Sequence, residues 1–562
     1  MIRRRARNED GKRVMMDSKS DRRSVMLGLS ALGGIALCPG QASAAGPATA
    51  SPLPRWGDQG DGSFVNPIIP ADYSDLDAIR VGDTYYAISS TLHTSPAMVI
   101  LRSGDMVNWT TIGHAVPDLA LLGEEALGWR RMRGYGRGMW AGAIRHHGGR
   151  FYIYFASPDS GLYVTTAERA EGPWTPPRSL LREAGYDDPC PFWDEDGSAW
   201  LVMTRFAADP VTGRSYVISL YRMSEDGLTL DRASALPIHQ SEGSEASKLY
   251  KFGPLYYHYF SEVKPEGRVP MMKRATSLPG LAQASAVQLG HVNAPVDSEP
   301  NQGALLQARD KSWWFLTHQG HGDWQGRAMC LLPVTWTGGW PIIGRAGPDG
   351  IGNMVWRSRK PIASPRPPLP DMSDEFRGGI KPVWEWNHAP RHEAFSLTER
   401  PGHLRLKAFP PAFKGLRGVG NLLSQRSWRT ADNRASVVLD LSGMVDGQTA
   451  GLCHLSAAGA WIGVRQSAGR RRLCFARGDV VKEGPVIDMP LIRLATRWGD
   501  DGRAIFEHDG GGGRFRRFGE HYDLQWRDYR GDRVGLFTVH DDAMRGHVDF
   551  SDFRYRIASQ NG

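Results

Sequence analysis

The chain has 562 residues and a mass of 62.1 kDa, about three to four times a usual domain length, which excludes a single compact domain and a small stapled scaffold. Apolar residues at 41%, aromatics at 10% and charges at 23% exclude a disordered chain and a polytopic membrane protein, while 66 Gly, 37 Pro and 19 Trp suit a turn-rich all-β protein. The net charge of +8 does not indicate nucleic acid: residues 1–44 hold nine Lys or Arg against four acids, a net +5, and only +3 remains for the rest.

The chain begins with that basic stretch. Arg22-Arg23 leads into an apolar run from Val25 to Leu37 and then to Ala42-Ser43-Ala44. A charged start, a short apolar run and a small-x-small site make residues 1–44 an export signal of the twin-arginine type, cleaved after Ala44, with Met15 and Met16 as alternative starts. The run is too short for a stable bilayer anchor, so the expected location is periplasmic or secreted, with no membrane anchor after cleavage. Cleavage removes Cys38 and leaves Cys190, Cys330, Cys453 and Cys474, too scattered for a disulfide framework or a CxxC metal site; a Cys453–Cys474 bond stays open.

From residue 45 to 358 a turn followed by a paired bulky position recurs five times: Tyr85-Tyr86, Phe151-Tyr152, Ala199-Trp200, Leu255-Tyr256 and Trp313-Trp314, at intervals of 66, 48, 56 and 58 residues. Each turn lies between two short β-type runs, which is a hairpin pattern. Units of this length with several strands each predict a five-bladed β-propeller; the competing reading is an irregular β-sandwich. Asp75, Trp140, Asp188, Glu245 and Gln302 stand 11 or 12 residues before the second member of their pairs, in the preceding strand. The innermost strands of a propeller surround its axis, so these positions converge on one mouth of the channel.

Three of the five are carboxylates, and acids drawn together from distant parts of a chain repel one another, a cost that catalysis or metal binding explains. Glycoside hydrolysis needs one acid to protonate the leaving oxygen and one carboxylate to activate water or attack the anomeric carbon, and a third can keep the acid protonated. Trp140 would supply a stacking face for the sugar. Asp77 competes with Asp75, and Glu242 with Glu245, although only Glu245 has the repeat spacing. His93, His258, His318 and His321 read as packed or hydrogen-bonding histidines, with a His318/His321/Asp323 metal site as the alternative.

These blocks resemble glycoside hydrolase family 43 over nearly all of the mature chain. Asn66-Pro67 through Asp75-Leu-Asp77 is similar to the family's opening block, and the resemblance implies that Asp75 is the general base. Ser103-Gly-Asp-Met-Val-Asn-Trp109 resembles the first-blade signature. Gly138-Met-Trp140-Ala-Gly142 resembles the block whose tryptophan lines the sugar subsite, with Gly142 where a proline is common. Asp188-Pro-Cys-Pro-Phe-Trp-Asp-Glu-Asp-Gly197 resembles the block whose aspartate raises and orients the acid, and Glu245-Ala-Ser-Lys-Leu-Tyr250 the general-acid block. Asn301-Gln302-Gly303 and Gly326-Arg327 resemble the fifth blade, which implies that Arg327, with Gln302, contacts the sugar. Many members carry His where Asn301 stands, and that His helps hold a water or calcium ion in the channel. No cofactor is required, and a structural calcium has no support from the residues present.

Residues 359–372 are proline-dense and read as a linker. Period-two runs such as His403–Lys407, Ala435–Leu441 and Val548–Tyr555 then make residues 373–558 an antiparallel β-sandwich of the concanavalin-like or jelly-roll type. Ser373–Phe376, Trp384–His388 and Gly402–Leu406 resemble the sandwich module that accompanies many family members. The expected function is an inverting exo-glycosidase that removes terminal xylose or arabinofuranose from hemicellulose-derived oligosaccharides, its only implied partner being that substrate. The rivals are a non-catalytic glycan-binding propeller, revealed by binding without product, and an endo-acting arabinanase, revealed by a long open cleft. The sequence does not define the oligomeric state.

Overall fold

A computed structural model describes residues 55–207, 214–292, 300–320 and 323–558. The expected export signal lies outside the described residues. Five antiparallel sheets follow one another along the first part of the chain, and their innermost strands are Ser74–Val81, Gly142–His147, Tyr186–Trp193, Ser244–Phe252 and Gly303–Gln307. The architecture is the five-bladed propeller. Ile69–Asp72, which precedes the first blade, pairs with Ala328–Thr337 of the fifth and closes the ring.

Each blade opens with a hairpin, and alternation along its second strand sends the two residues of the repeated pair to opposite faces. Five apolar clusters between neighbouring blades receive them. Tyr86 meets Phe151 between blades one and two, Tyr152 shares a cluster with Ala199, Trp200 with Tyr256, Tyr257 with Trp313, and Trp314 with Tyr85. The fourth unit therefore runs one residue later than its sequence suggests: Tyr256 and Tyr257, not Leu255 and Tyr256, take the paired positions. The cause is the turn, where Phe252 pairs with Leu255 and puts Leu255 at the hairpin end, the place Thr84 and Arg150 hold in blades one and two. In a pleated strand one residue of offset reverses the face.

Residues 360–372 contain no strand or helix. Lys360 nevertheless is buried, its ammonium 2.5 Å from Asp58 and 3.0 Å from Asp105, so this segment is fastened to the propeller. The remainder forms two large antiparallel sheets packed face to face. Thr94–Ser95 of the first blade pairs with Glu385–Asn387 and adds an edge strand to one of them. One apolar cluster runs from Tyr85 and Trp314 between blades five and one to Leu439, Ile462 and Phe550 in the sandwich. The two domains share a core and pack as one compact unit. Cys453 and Cys474 are each buried as free thiols, so the Cys453–Cys474 bond is not formed.

Candidate active site

The three carboxylates stand where the innermost strands break register. Between Ser74 and Asp77, between Asp187 and Cys190, and between Glu245 and Lys248, two residues oppose one on the neighbouring strand. Such bulges re-aim side chains at functional sites. The first extra residue is left-handed in each: Asp75 at φ 54°, Asp188 at φ 49° and Ala246 at φ 65°. Asp75 and Asp188 are thus equivalent, whereas Glu245 precedes its bulge and corresponds to Asp187. The equal spacing expected for Glu245 is corrected by the same one-residue offset in blade four.

This offset has a chemical consequence. Asp188 is 1% exposed and the Asp75 side chain 11%, but the Glu245 side chain is 23% exposed and can reach a departing group. Asp188 accepts the Ala246 N–H at 2.7 Å on one oxygen and the Gln302 amide at 2.7 Å on the other. Gln302, expected to bind sugar, directs its amide to this carboxylate. Asp75 accepts from Arg327 Nη1 at 2.6 Å on Oδ1 and from the Ser90 hydroxyl on Oδ2, and its own N–H donates to His318 Nδ1 at 3.0 Å. Arg327, expected on the sugar, grips Asp75 here.

Environment separates the two buried acids. Burial pushes the Asp75 carboxyl upward, but Arg327, His318 and the Ser90 hydroxyl overrule it and hold the group below the ordinary aspartate range. Asp188 is pushed up to about 6 by burial and by Glu245, against the pull of Lys248 and the Ala246 N–H. At neutral pH Asp75 is ionised, the state a base requires, and Asp188 is close to its titration point. Asp187 is driven well above its ordinary value by burial, Asp188 and Glu245. Its Oδ1 accepts the Asp188 N–H at 2.9 Å, which makes it a fourth acid of the site that the sequence reading passed over.

Aromatic rings surround the acids. Trp140 is half-buried, its indole N–H bonded to the Gly136 carbonyl at 3.0 Å, and it meets Phe206 edge to face at 6.2 Å. Phe206 in turn meets Tyr216, whose hydroxyl is pushed up to about 12 by burial and by Glu245. Tyr529, from the sandwich, lies against Gly136, whose carbonyl holds Trp140, and so stands at the same mouth, where burial raises its hydroxyl. Nothing local in the sequence marks Tyr529, because its place depends on how the two domains pack.

The rival residues do other work. Asp77 is buried and accepts from the Ile144 N–H at 2.8 Å and Arg145 at 2.7 Å, tying blade one to blade two, and Glu242 is exposed on the turn before its strand. His258 contacts the Ser247 hydroxyl at 3.2 Å, and His93 packs against Tyr135 and His388. Asp323 pairs with Arg429 of the sandwich, while His321 lies outside the described residues. Among the described residues no group of three His, Cys, Asp or Glu side chains has an arrangement that would hold a metal ion.

Residues 64–341 match the profile of glycosyl hydrolases family 43, and residues 373–556 that of the β-xylosidase C-terminal concanavalin A-like domain. A β-xylosidase of Formosa agariphila is 36% identical over 552 residues, covering 89% of this chain and 91% of that protein. A non-reducing end α-L-arabinofuranosidase of Bacteroides ovatus is 30% identical over 382 residues, 61% of this chain and 65% of that one. The solved structure of a bifunctional GH43-CE protein of Bacteroides eggerthii superposes with a TM-score of 0.77 at 25% identity, covering 90% of this chain and 64% of that chain. Carboxylates set on bulged inner strands of a five-bladed propeller, in a chain that aligns with such relatives along nine-tenths of its length, make this protein a glycoside hydrolase that belongs to family 43.

Proposed function

We propose that the protein is an inverting exo-glycosidase releasing terminal xylose or arabinofuranose from hemicellulose-derived oligosaccharides. Asp75 takes a proton from water on one face of the sugar ring, and Glu245 gives a proton to the departing oxygen on the other. Asp188 accepts the N–H of Ala246, the residue after Glu245, and so orients the acid. The observation that carries this reading is that three bulged inner strands present the carboxylates, with Asp75 gripped by Arg327 and Ser90 and the Glu245 side chain left the most open of the three. Tyr529 at the mouth supports an exo mode, because a wall from the sandwich suits a chain end better than an open cleft. The names of the similar β-xylosidase and α-L-arabinofuranosidase support the two sugars.

The test is hydrolysis of aryl β-xylopyranoside and aryl α-arabinofuranoside side by side, with the anomer of the first product followed by NMR. Release of the inverted sugar from at least one substrate is expected. Glu245→Ala should lose about 10²- to 10⁴-fold on xylobiose and far less on an aryl glycoside whose leaving group needs no proton. A retained anomer, or equal loss on both substrates, contradicts the assignment.

A further inference from the structure

The sandwich reaches the propeller mouth through a two-residue hairpin. The Arg527 N–H donates to the Arg530 carbonyl at 3.0 Å and the Arg530 N–H to the Arg527 carbonyl at 2.9 Å, and both tip residues are left-handed, Asp528 at φ 54° and Tyr529 at φ 61°. Such turns favour Asn-Gly or Asp-Gly, so a tyrosine there is strained, and strain of this kind collects at functional sites. Asp528 is held by Arg417 at 2.6 Å.

Behind the tip, Arg530 is 3% exposed and lies against the two groups that hold Asp75. Its Nη1 donates to the Ser90 carbonyl at 3.0 Å, and the hydroxyl of the same serine donates to Asp75 Oδ2. Its Nε lies 3.0 Å from Asp72 Oδ2, which also accepts the Gly531 N–H at 3.2 Å. The other oxygen of Asp72 accepts the Arg327 N–H at 3.1 Å, and Arg327 Nη1 donates to Asp75 Oδ1 at 2.6 Å. Both oxygens of Asp75 are thus fixed by residues whose backbones are fixed, directly or through Asp72, by one arginine of the other domain.

We propose that Arg530 is a positioning residue for the Asp75 carboxylate, so that the sandwich supplies part of the catalytic apparatus and is more than an attached module. This rests on the reading of Asp75 as the base. Besides Arg530, the charged and titratable groups that face Asp75 are Arg327 and His318 from blade five and Asp187 and Asp188 from blade three. Removing the Arg530 charge leaves fewer cations to favour the ionised base, so the acid limb of the kcat/KM profile moves to higher pH.

The experiment compares the full-length wild type with Arg530→Met, Arg530→Lys and Arg405→Met. Arg405 pairs with Glu399 and Asp549 inside the sandwich and serves as the control for general destabilisation. Arg530→Met should lower kcat about 10- to 100-fold through loss of alignment, with KM within roughly threefold of wild type and the acid limb raised by about half a pH unit or more. Arg530→Lys should recover the limb but only part of kcat. Should Arg530→Met fail to fold, Arg530→Lys carries the test, since a lysine keeps the charge without the fork. A pH profile that superimposes on wild type, with Tm lowered as in Arg405→Met, overturns the proposal and leaves Arg530 an interdomain staple. Titration of the Asp75 carboxyl by ¹³C NMR, assigned through Asp75→Asn, reads the coupling without substrate. Failure of the wild type to hydrolyse any glycoside sinks the functional reading alone, whereas an Asp75 titration unchanged in Arg530→Met sinks this one.

Discussion

At the scale of single residues, Asp188 illustrates how a site stores energy against folding. A carboxyl raised to about 6 from an ordinary 3.8 binds its proton more tightly in the folded than in the unfolded chain. Its contribution therefore favours folding at low pH and is lost as pH rises through the window between those two values. Replacement by Asn removes this dependence. Between pH 4 and pH 8 the stability difference between Asp188→Asn and wild type should shift in favour of the variant by up to about 3 kcal/mol, measured by urea denaturation at each pH. A difference that stays flat across the range contradicts the raised value. Activity should fall in the same variant, because the carboxylate that accepts the Ala246 N–H beside Glu245 is gone. Much of this residue-level arrangement was legible in the chain. The acids Asp75, Asp188 and Glu245 could be picked out because each stands at a fixed distance before a bulky pair. Asp187 could not, since beside Asp188 it resembles an ordinary turn carboxylate until burial is known.

At the scale of elements, the bulges decide which way the acids point. The Ala246 N–H reaches Asp188 only because Ala246 adopts φ 65°, a conformation that costs an L-residue roughly 1–2 kcal/mol. Ala246→Gly should fold and turn over substrate with stability within about 1 kcal/mol of wild type, since glycine accepts this backbone while losing one small buried methyl. Ala246→Val should cost more than about 2 kcal/mol and lose most activity, because a β-branched side chain opposes the left-handed region and the bulge must flatten. Thermal denaturation and kcat together check this, and a fully active valine variant would show that the bulge does not govern Asp188. The hairpin of blade four shows why sequence spacing alone placed Glu245 one position wrong. Tyr256 and Tyr257 are adjacent aromatics, and which pair faces which blade depends on where the turn closes, a choice the pattern of bulky residues leaves open.

At the scale of the whole molecule, propeller and sandwich are joined by buried charge as well as by the shared core. Glu385 is fully buried, 2.8 Å from Arg426, 3.0 Å from Arg533 and 2.5 Å from the Thr94 hydroxyl, in the strand that pairs with blade one. Glu385→Gln takes from two buried guanidinium groups their main counter-charge, leaving only the weaker pull of Asp72, and should cost about 3–5 kcal/mol in equilibrium denaturation. A cost below about 1 kcal/mol would mean that the arginines are satisfied elsewhere.

What the sequence determined by itself was whatever repeats locally. Five bulky pairs after turns specify five blades, because alternation along a strand needs no knowledge of distant residues, and the acids in the preceding strands follow from the same count. What only the tertiary structure decided was what distant segments bring to that count. Arg530 and Ser90 are 440 residues apart, and their contact follows from the packing of one domain on the other, which no local pattern encodes. The orientation of Asp75 depends on both. Its identity comes from the repeat, and the hold on its two oxygens comes from blade one, blade five and an arginine of the sandwich.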